Sequence, residues 1–175
     1  ETFNPTARRF QALRMPTVAA VNGVAAGAGS SLAMSCDIVV AAPAASFIQA
    51  FSKIGLIPDA GGTFLLAHRL GLARATALAM TGDKLSAAQA KEWGVVWEVA
   101  EDCVAAAEAL AQRLAAMPTQ ALVRTRHLLR DAMTSSFEAQ LQAERDAQSA
   151  LAKTHDYFEG VTAFLEKRAP SFKGA

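Results

Sequence analysis

Cysteine is scarce. Cys36 and Cys103 are the only two in 175 residues, far apart and outside any Cys-x-x-Cys pattern, so neither a disulfide framework nor a thiolate metal site is expected. The three histidines, His68, His127 and His155, are equally scattered, and no metal is expected from them. Long apolar runs are lacking too. A membrane span needs roughly 18–20 such residues, and the best stretch, from Val18 to Met34, is interrupted by Asn22, Gly23, Gly27, Gly29, Ser30 and Ser31. No membrane segment is expected. Nor is there an excess of one charge: 17 basic and 16 acidic residues leave a net charge of +1. A nucleic-acid partner would call for a concentrated basic face, so none is expected. The opening Glu-Thr-Phe-Asn-Pro shows no basic stretch leading into an apolar one. The expectation is therefore no signal peptide and a reduced, cytoplasmic setting.

Apolar residues are plentiful, at 52% against 19% charged. That is enough to build a core, and the length suits one domain with or without a helical appendage. Phe3 to Arg14 reads as a helix stopped at Met15-Pro16, because proline restricts the residue before it. Thr17–Val21 and Asp37–Ala42 are short apolar runs between turn residues, the pattern of buried strands. A small-residue loop from Asn22 to Ser31, leading into helical Leu32–Met34, separates them. Two apolar strands flanking a crossover imply a parallel, βαβ-like arrangement. Ser46–Ile48 and Val95–Val99 are further candidate strands. Helices are expected over Phe64–Leu70, Leu72–Met80 and from an N-cap at Ser86 to Trp93. Beyond Glu101 the pattern becomes helical throughout, over Cys103–Met117, Gln120–Met133, Phe137–Lys153 and Tyr157–Arg168. The chain divides by character into an α/β part, 1–100, and a helical part, 101–175.

Two segments could carry chemistry. Gly23 to Ser31 lets a backbone approach a ligand closely, and its free amides point outward from the start of a helix, an arrangement that stabilises an anion. The alternative is a tight strand-to-helix turn. The glycine spacing, at 23, 27 and 29, is neither the dinucleotide fingerprint nor the phosphate loop. The second segment, Gly55-Leu56-Ile57-Pro58-Asp59-Ala60-Gly61-Gly62-Thr63, sets one carboxylate between a proline and glycines. Phe51, Leu56, Ile57 and Phe64 give it apolar surroundings that suit a group moving a proton. The alternative is that Asp59 caps the helix that follows.

Three strings together, PTVAAVNGVAAGAGSSLAMSCDIVVAA, SKIGLIPDAGGTFLLAHRLG and ALAMTGDKLSAAQAKEWGVV, resemble the crotonase, or enoyl-CoA hydratase/isomerase, family from about Arg14 to the end. The terminal DYFEGVTAFLEKRAPSFKG is similar to the family's closing helix. The resemblance implies an α/β fold with a ββα-spiral core, followed by a helical region through which subunits trimerise. It implies an acyl-CoA thioester substrate whose carbonyl is gripped by two backbone amides. One falls at Ala28, beside Gly27 and Gly29; the other lies in the family's amino-terminal third, which this sequence does not contain. Coenzyme A would be part of the substrate, and no separate cofactor is implied.

At the positions where the family's hydratases carry two glutamates, this chain has Ser31 and Phe51, which disfavours plain hydration. Asp59 stands where double-bond-shifting members place a lone carboxylate. The run GLIPDAGGTFLL and the carboxyl-terminal helices look nearest to the branch that isomerises ring-epoxide thioesters in phenylacetate breakdown. The expected activity is thus acyl-CoA isomerisation, with enoyl-CoA hydration or a non-catalytic binding role as alternatives. Asp59 and Ala28 are the expected catalytic groups. Gly27, Gly29, Phe51 and Pro58 would contact the substrate, and Phe164 and Lys167 on the closing helix could reach a neighbouring subunit's coenzyme A. A homotrimer or dimer of trimers is implied. Lys53, His68, Arg69, His127 and His155 are expected on solvated faces, and Cys36 in the core.

Overall fold

The computed structural model describes residues 3–175, which fall into two compact units. The first comprises residues 3–13 and Thr17–Leu110; the second comprises Arg14–Pro16 and Ala111–Ala175.

The first unit opens with α1 (Asn4–Gln11), β1 (Val18–Val21), β2 (Val24–Ala26), α2 (Ala28–Ser35), β3 (Ile38–Ala41) and β4 (Ser46–Ile48). A short 3-10 helix (Ala50–Ile54) leads to α3 (Gly62–Leu70), α4 (Leu72–Thr81), β5 (Lys84–Ser86), α5 (Ala87–Glu92) and β6 (Glu98–Val99). The strands form two three-stranded sheets, ordered β1-β3-β6 and β2-β4-β5. β1 lies parallel to β3 with Val18 opposite Ile38, and β2 lies parallel to β4 with Val24 opposite Ser46. Each pass of the chain therefore adds one strand to each sheet before a helix returns it, a mixed α/β spiral. β5 closes antiparallel on β4.

Asp37 pins the start of the first sheet. Its carboxylate accepts from the Thr17 N–H at 2.9 Å and the Thr17 hydroxyl at 3.0 Å, while its own N–H donates to that hydroxyl at 3.0 Å. Val39, Val40 and Ala41 are all buried, so β3 is covered on both faces, as a parallel central strand should be. Met34, Phe47, Leu66 and Leu85 complete this core with Ala87 and Ala90. Ser86 caps α5 as its sequence predicts, accepting from the Gln89 N–H.

Two expectations shift. The loop predicted between Asn22 and Ser31 contains β2, and the helix starts at Ala28 rather than Leu32. The strand predicted over Val95–Val99 contracts to Glu98–Val99 because the Val95 and Val96 amides both bond to the Ala90 carbonyl, at 2.8 and 3.1 Å, extending the turn that ends α5.

The second unit takes the end of α6 (Cys103–Ala115), then α7 (Thr119–Asp131), α8 (Phe137–Leu151) and α9 (His155–Leu165). Its tail is folded back by polar contacts. The buried Asp156 carboxylate accepts from the Lys173 and Gly174 amides, each at 2.8 Å. Arg168 forks onto Glu159 at 2.6 and 2.9 Å, and Glu159 also accepts from the Ser171 amide at 2.7 Å. That pairing holds the Glu159 carboxyl at about 2. Burial pushes Asp156 upward, but the two amides and His155 outweigh it and leave its pKa lowered. Buried Arg126 donates to the Met15 carbonyl at 3.1 Å. Among the described residues no helix is long and apolar enough to cross a membrane.

Candidate active site

The candidate site belongs to the first unit and is built from the two segments that lead into α2 and α3. Gly27 is the N-cap of α2 with φ +54° and ψ −125°, a backbone region that disfavours a side chain. It is tied to the second sheet by its own N–H, which donates to the Ile48 carbonyl at 2.9 Å. The ring of Phe51 lies 3.4 Å from where a Cβ on Gly27 would stand, so β4 and the 3-10 helix close against the loop. Ala28 is the first residue of α2, and a helix offers no internal acceptor to its first amides. Such an N–H at a helix start is of the kind that can face an anion. Gly29 follows, exposed, with open space where a Cβ would be.

The second segment is a strained turn. Ala60 adopts φ +52° and Gly61 φ +82°, two successive left-handed residues, and Ala60 does so while 2% exposed. A non-glycine residue in that region costs of order 1 kcal/mol or more and persists only where its surroundings hold it there. The Gly62 N–H closes the turn on the Asp59 carbonyl at 2.8 Å. The N-cap of α3 is Gly61, with no side-chain cap bond. Of the two readings left open by the sequence, capping by Asp59 is thus not what the turn does. Instead, the Asp59 Oδ1 is buried without a hydrogen-bond partner. Buried carboxylate oxygens are normally satisfied, and one left bare is either costly or held for a ligand.

The two segments meet. Gly62 is buried, and a Cβ on it would stand 2.7 Å from the Ser31 Oγ and 3.0 Å from the Pro58 Cβ. Ser31 is fully buried, and its hydroxyl reaches back to the Gly27 carbonyl at 3.5 Å. Gly27, Ala28, Ser31, Phe51, Pro58 and Asp59 are therefore brought into one region. Leu56, Ile57 and Phe64 are 59%, 78% and 62% exposed, so these apolar neighbours of Asp59 in sequence lie open rather than closed over it. A groove of about 530 Å³ runs between the turn's Ala60 and Gly61, Phe64 of α3 and Ala7, Arg8 and Gln11 of α1.

Phe164 and Lys167 belong to the second unit. Phe164 is 81% exposed, and Lys167 stands just past α9 with φ +54°. Their unit carries its own apolar groove of about 410 Å³, which Phe164 lines with Tyr157, Val161 and Phe172. Of the charged residues expected on solvated faces, Lys53, His68 and His155 are exposed, while Arg69 and His127 are half-buried. Arg69 donates to the Cys36 carbonyl. Burial and then the neighbouring Arg126 and Arg130 push the His127 pKa down. Cys36 is buried, and burial pushes its thiol up, the setting of an inert core cysteine.

Sequence reasoning missed the Ser31–Gly62 contact and the buried Gln49, whose amide donates to the Ser30 hydroxyl at 3.1 Å. The basis of the contact is visible only in the structure. Gly62 has no left-handed φ, so its lack of a side chain points to close approach rather than to conformation.

A profile of the enoyl-CoA hydratase/isomerase family matches residues 1–175. The 1,2-epoxyphenylacetyl-CoA isomerase of Escherichia coli is 50% identical over 174 residues, covering 98% of this chain and 66% of that protein. A Rhodobacter capsulatus protein named "probable enoyl-CoA hydratase" is 40% identical over 176 residues, 99% of this chain and 68% of its own. Among solved structures, an enoyl-CoA hydratase from Polaromonas sp. JS666 superposes with a TM-score of 0.93 at 37% identity, covering 98% of this chain and 67% of that one. The chain thus spans about two thirds of the length of the relatives it matches.

Proposed function

The chain belongs to the enoyl-CoA hydratase/isomerase family, and from that premise we propose that it works as an acyl-CoA isomerase with Asp59 as its acid/base. The observation that carries the reading is the buried Asp59 Oδ1 with no hydrogen-bond partner, on a turn whose helix it does not cap.

In this reading the thioester carbonyl accepts from the Ala28 N–H and from a second amide supplied by the family's amino-terminal portion. Asp59 takes a proton from the acyl chain. The electron pair left behind moves onto the carbonyl oxygen as an enolate, and the two amides hold that charge. An oxyanion donor of this kind is typically worth about 10²–10³ in rate. Asp59 then returns a proton at a different carbon, so one base serves both steps and no water enters the product. With a ring-epoxide thioester, the same amides and carboxyl would assist ring opening and expansion. Ser31 and Phe51 stand where the family's hydratases are expected to carry glutamates, and neither side chain can activate water. The identity to a ring-epoxide isomerase favours an aromatic acyl group. Gly27 and Gly29 keep the loop open to the thioester, while Phe51 and Pro58 border it. Phe164 and Lys167 would serve the coenzyme A of a neighbouring subunit in a homotrimer or dimer of trimers.

The test is the Asp59→Asn variant of the intact protein, offered a 3-enoyl-CoA and followed by the ultraviolet absorbance of the conjugated product. Removing a general acid/base should lower kcat by about 10²–10⁴ while acyl-CoA binding is retained. A variant with the wild-type kcat would end the proton-transfer assignment.

A further inference from the structure

The Ala28 amide and the Asp59 carboxyl stand on different elements, 31 positions apart in sequence. A proton transfer next to a held carbonyl depends on the distance between them, so something must set that distance. The Asp59 turn cannot do so alone, because its left-handed Ala60 is a conformation that persists only when outside contacts impose it. One such contact joins the two segments. Ser31 sits one turn into α2, its N–H donating to the Gly27 carbonyl at 3.1 Å and its hydroxyl lying 3.5 Å from the same oxygen. From there it faces Gly62, with the Ser31 Oγ only 2.7 Å from the site of a Cβ on that glycine. Gly62 in turn fastens Asp59 through its N–H, at 2.8 Å to the Asp59 carbonyl. Both residues are buried, so neither contact can relax into solvent.

We infer that the Ser31–Gly62 contact is the spacer that fixes the Ala28 amide against the Asp59 carboxyl, making Ser31 and Gly62 positioning residues. This rests on the proposed function above. A methyl at position 62 would stand 2.7 Å from the Ser31 Oγ and 3.0 Å from the Pro58 Cβ, so the turn must reshape around Pro58 and either move off α2 or displace the Ser31 hydroxyl. Removing the Ser31 hydroxyl leaves the Ser31 Cβ at 3.8 Å, an ordinary contact.

The experiment is a double-mutant cycle on the intact protein, with kcat, KM and melting temperature measured for Gly62→Ala, Ser31→Ala and the pair. A misplacement of about 1 Å in a catalytic group can cost on the order of 10²-fold. Gly62→Ala should therefore lose about that much kcat, with KM within about twofold. Adding Ser31→Ala should recover about tenfold, a coupling within the range for touching residues. A purely structural contact would move melting temperature and leave kcat alone, which overturns the inference. So does a loss of kcat that Ser31→Ala fails to relieve. Should Gly62→Ala not fold, Ser31→Thr carries the test, because its added methyl crowds the same contact without altering the turn's backbone; an unchanged kcat there overturns the inference. Asp59→Asn is assayed beside them. If it is inactive and Gly62→Ala is unaffected, only the spacer fails. If Asp59→Asn keeps its kcat, the proton-transfer reading itself fails.

Discussion

In the first unit most of the buried side chains are apolar: Met34, Val39, Val40, Phe47, Leu66 and Leu85 are among those that fill its core. In the second unit the buried residues include Arg126 and Asp156, beside Ala147 and Ala163, while Leu129, Met133, Phe137, Phe158, Phe164 and Leu165 are exposed. The first unit is held by a core of its own, the second by carboxylates that grip backbone amides and an arginine. Large apolar side chains are exposed in the first unit too, among them Ile57, Leu72, Met80 and Trp97. The second unit differs in that its polar clamps do not depend on hiding such side chains. The candidate site lies in the unit with the apolar core, where a strained turn can be imposed from outside.

Ways to break that contrast follow in order of size. Phe47→Ala empties the first core, and truncations of this kind cost about 3–5 kcal/mol. Denaturant unfolding should show a loss in that range; a loss below about 1 kcal/mol would mean the sheets are held by something other than packing. Asp156→Ala removes a charged acceptor from two amides, and bonds of that kind are worth about 1.5–3 kcal/mol. Hydrogen exchange at Lys173 and Gly174 should accelerate at least about tenfold while the amides of β3 keep their protection. Loss of protection in both units would erase the distinction.

Acid should also act on the second unit. The Glu159 carboxyl titrates at about 2 in the folded chain against 4.5 ordinarily. The unfolded chain therefore binds the extra proton across that window, and stability rises with pH there. The contribution is complete above about 4.5 and is lost as pH falls toward about 2. Tail-amide exchange followed down this range should report the loss, and Glu159→Gln should flatten that part of the profile. The smallest effect is expected of Phe164→Ala, since exposed substitutions usually stay within about 0.5 kcal/mol. If it destabilises the isolated chain by more than that, Phe164 is packed rather than presented.

Much of the fold was legible beforehand. β1 and β3 announce themselves as apolar runs bounded by turn residues, and the helices from α3 onward by their spacing and stops. β2 did not, because Val24 and Ala26 are exposed and only their pairing with Ser46–Ile48 makes them a strand. β5 was likewise hidden: three residues acquire strand character by pairing with β4. Within the site, Asp59 stood out as a lone carboxylate between proline and glycines. Whether it capped α3 did not, since that turns on Gly61 being the residue at the N-cap.

The order of side chains along the chain indicated most of the element types and set Asp59 apart between proline and glycines, because periodicity, turn chemistry and glycine placement are local; Ala28 was singled out only by the resemblance to the family. That order could not say that Ser31 touches Gly62, that Phe51 lies over Gly27, or that one oxygen of Asp59 is buried without a partner. Those facts join residues distant in sequence. They exist only once α2, the 3-10 helix and the Asp59 turn have been packed together by the strands between them.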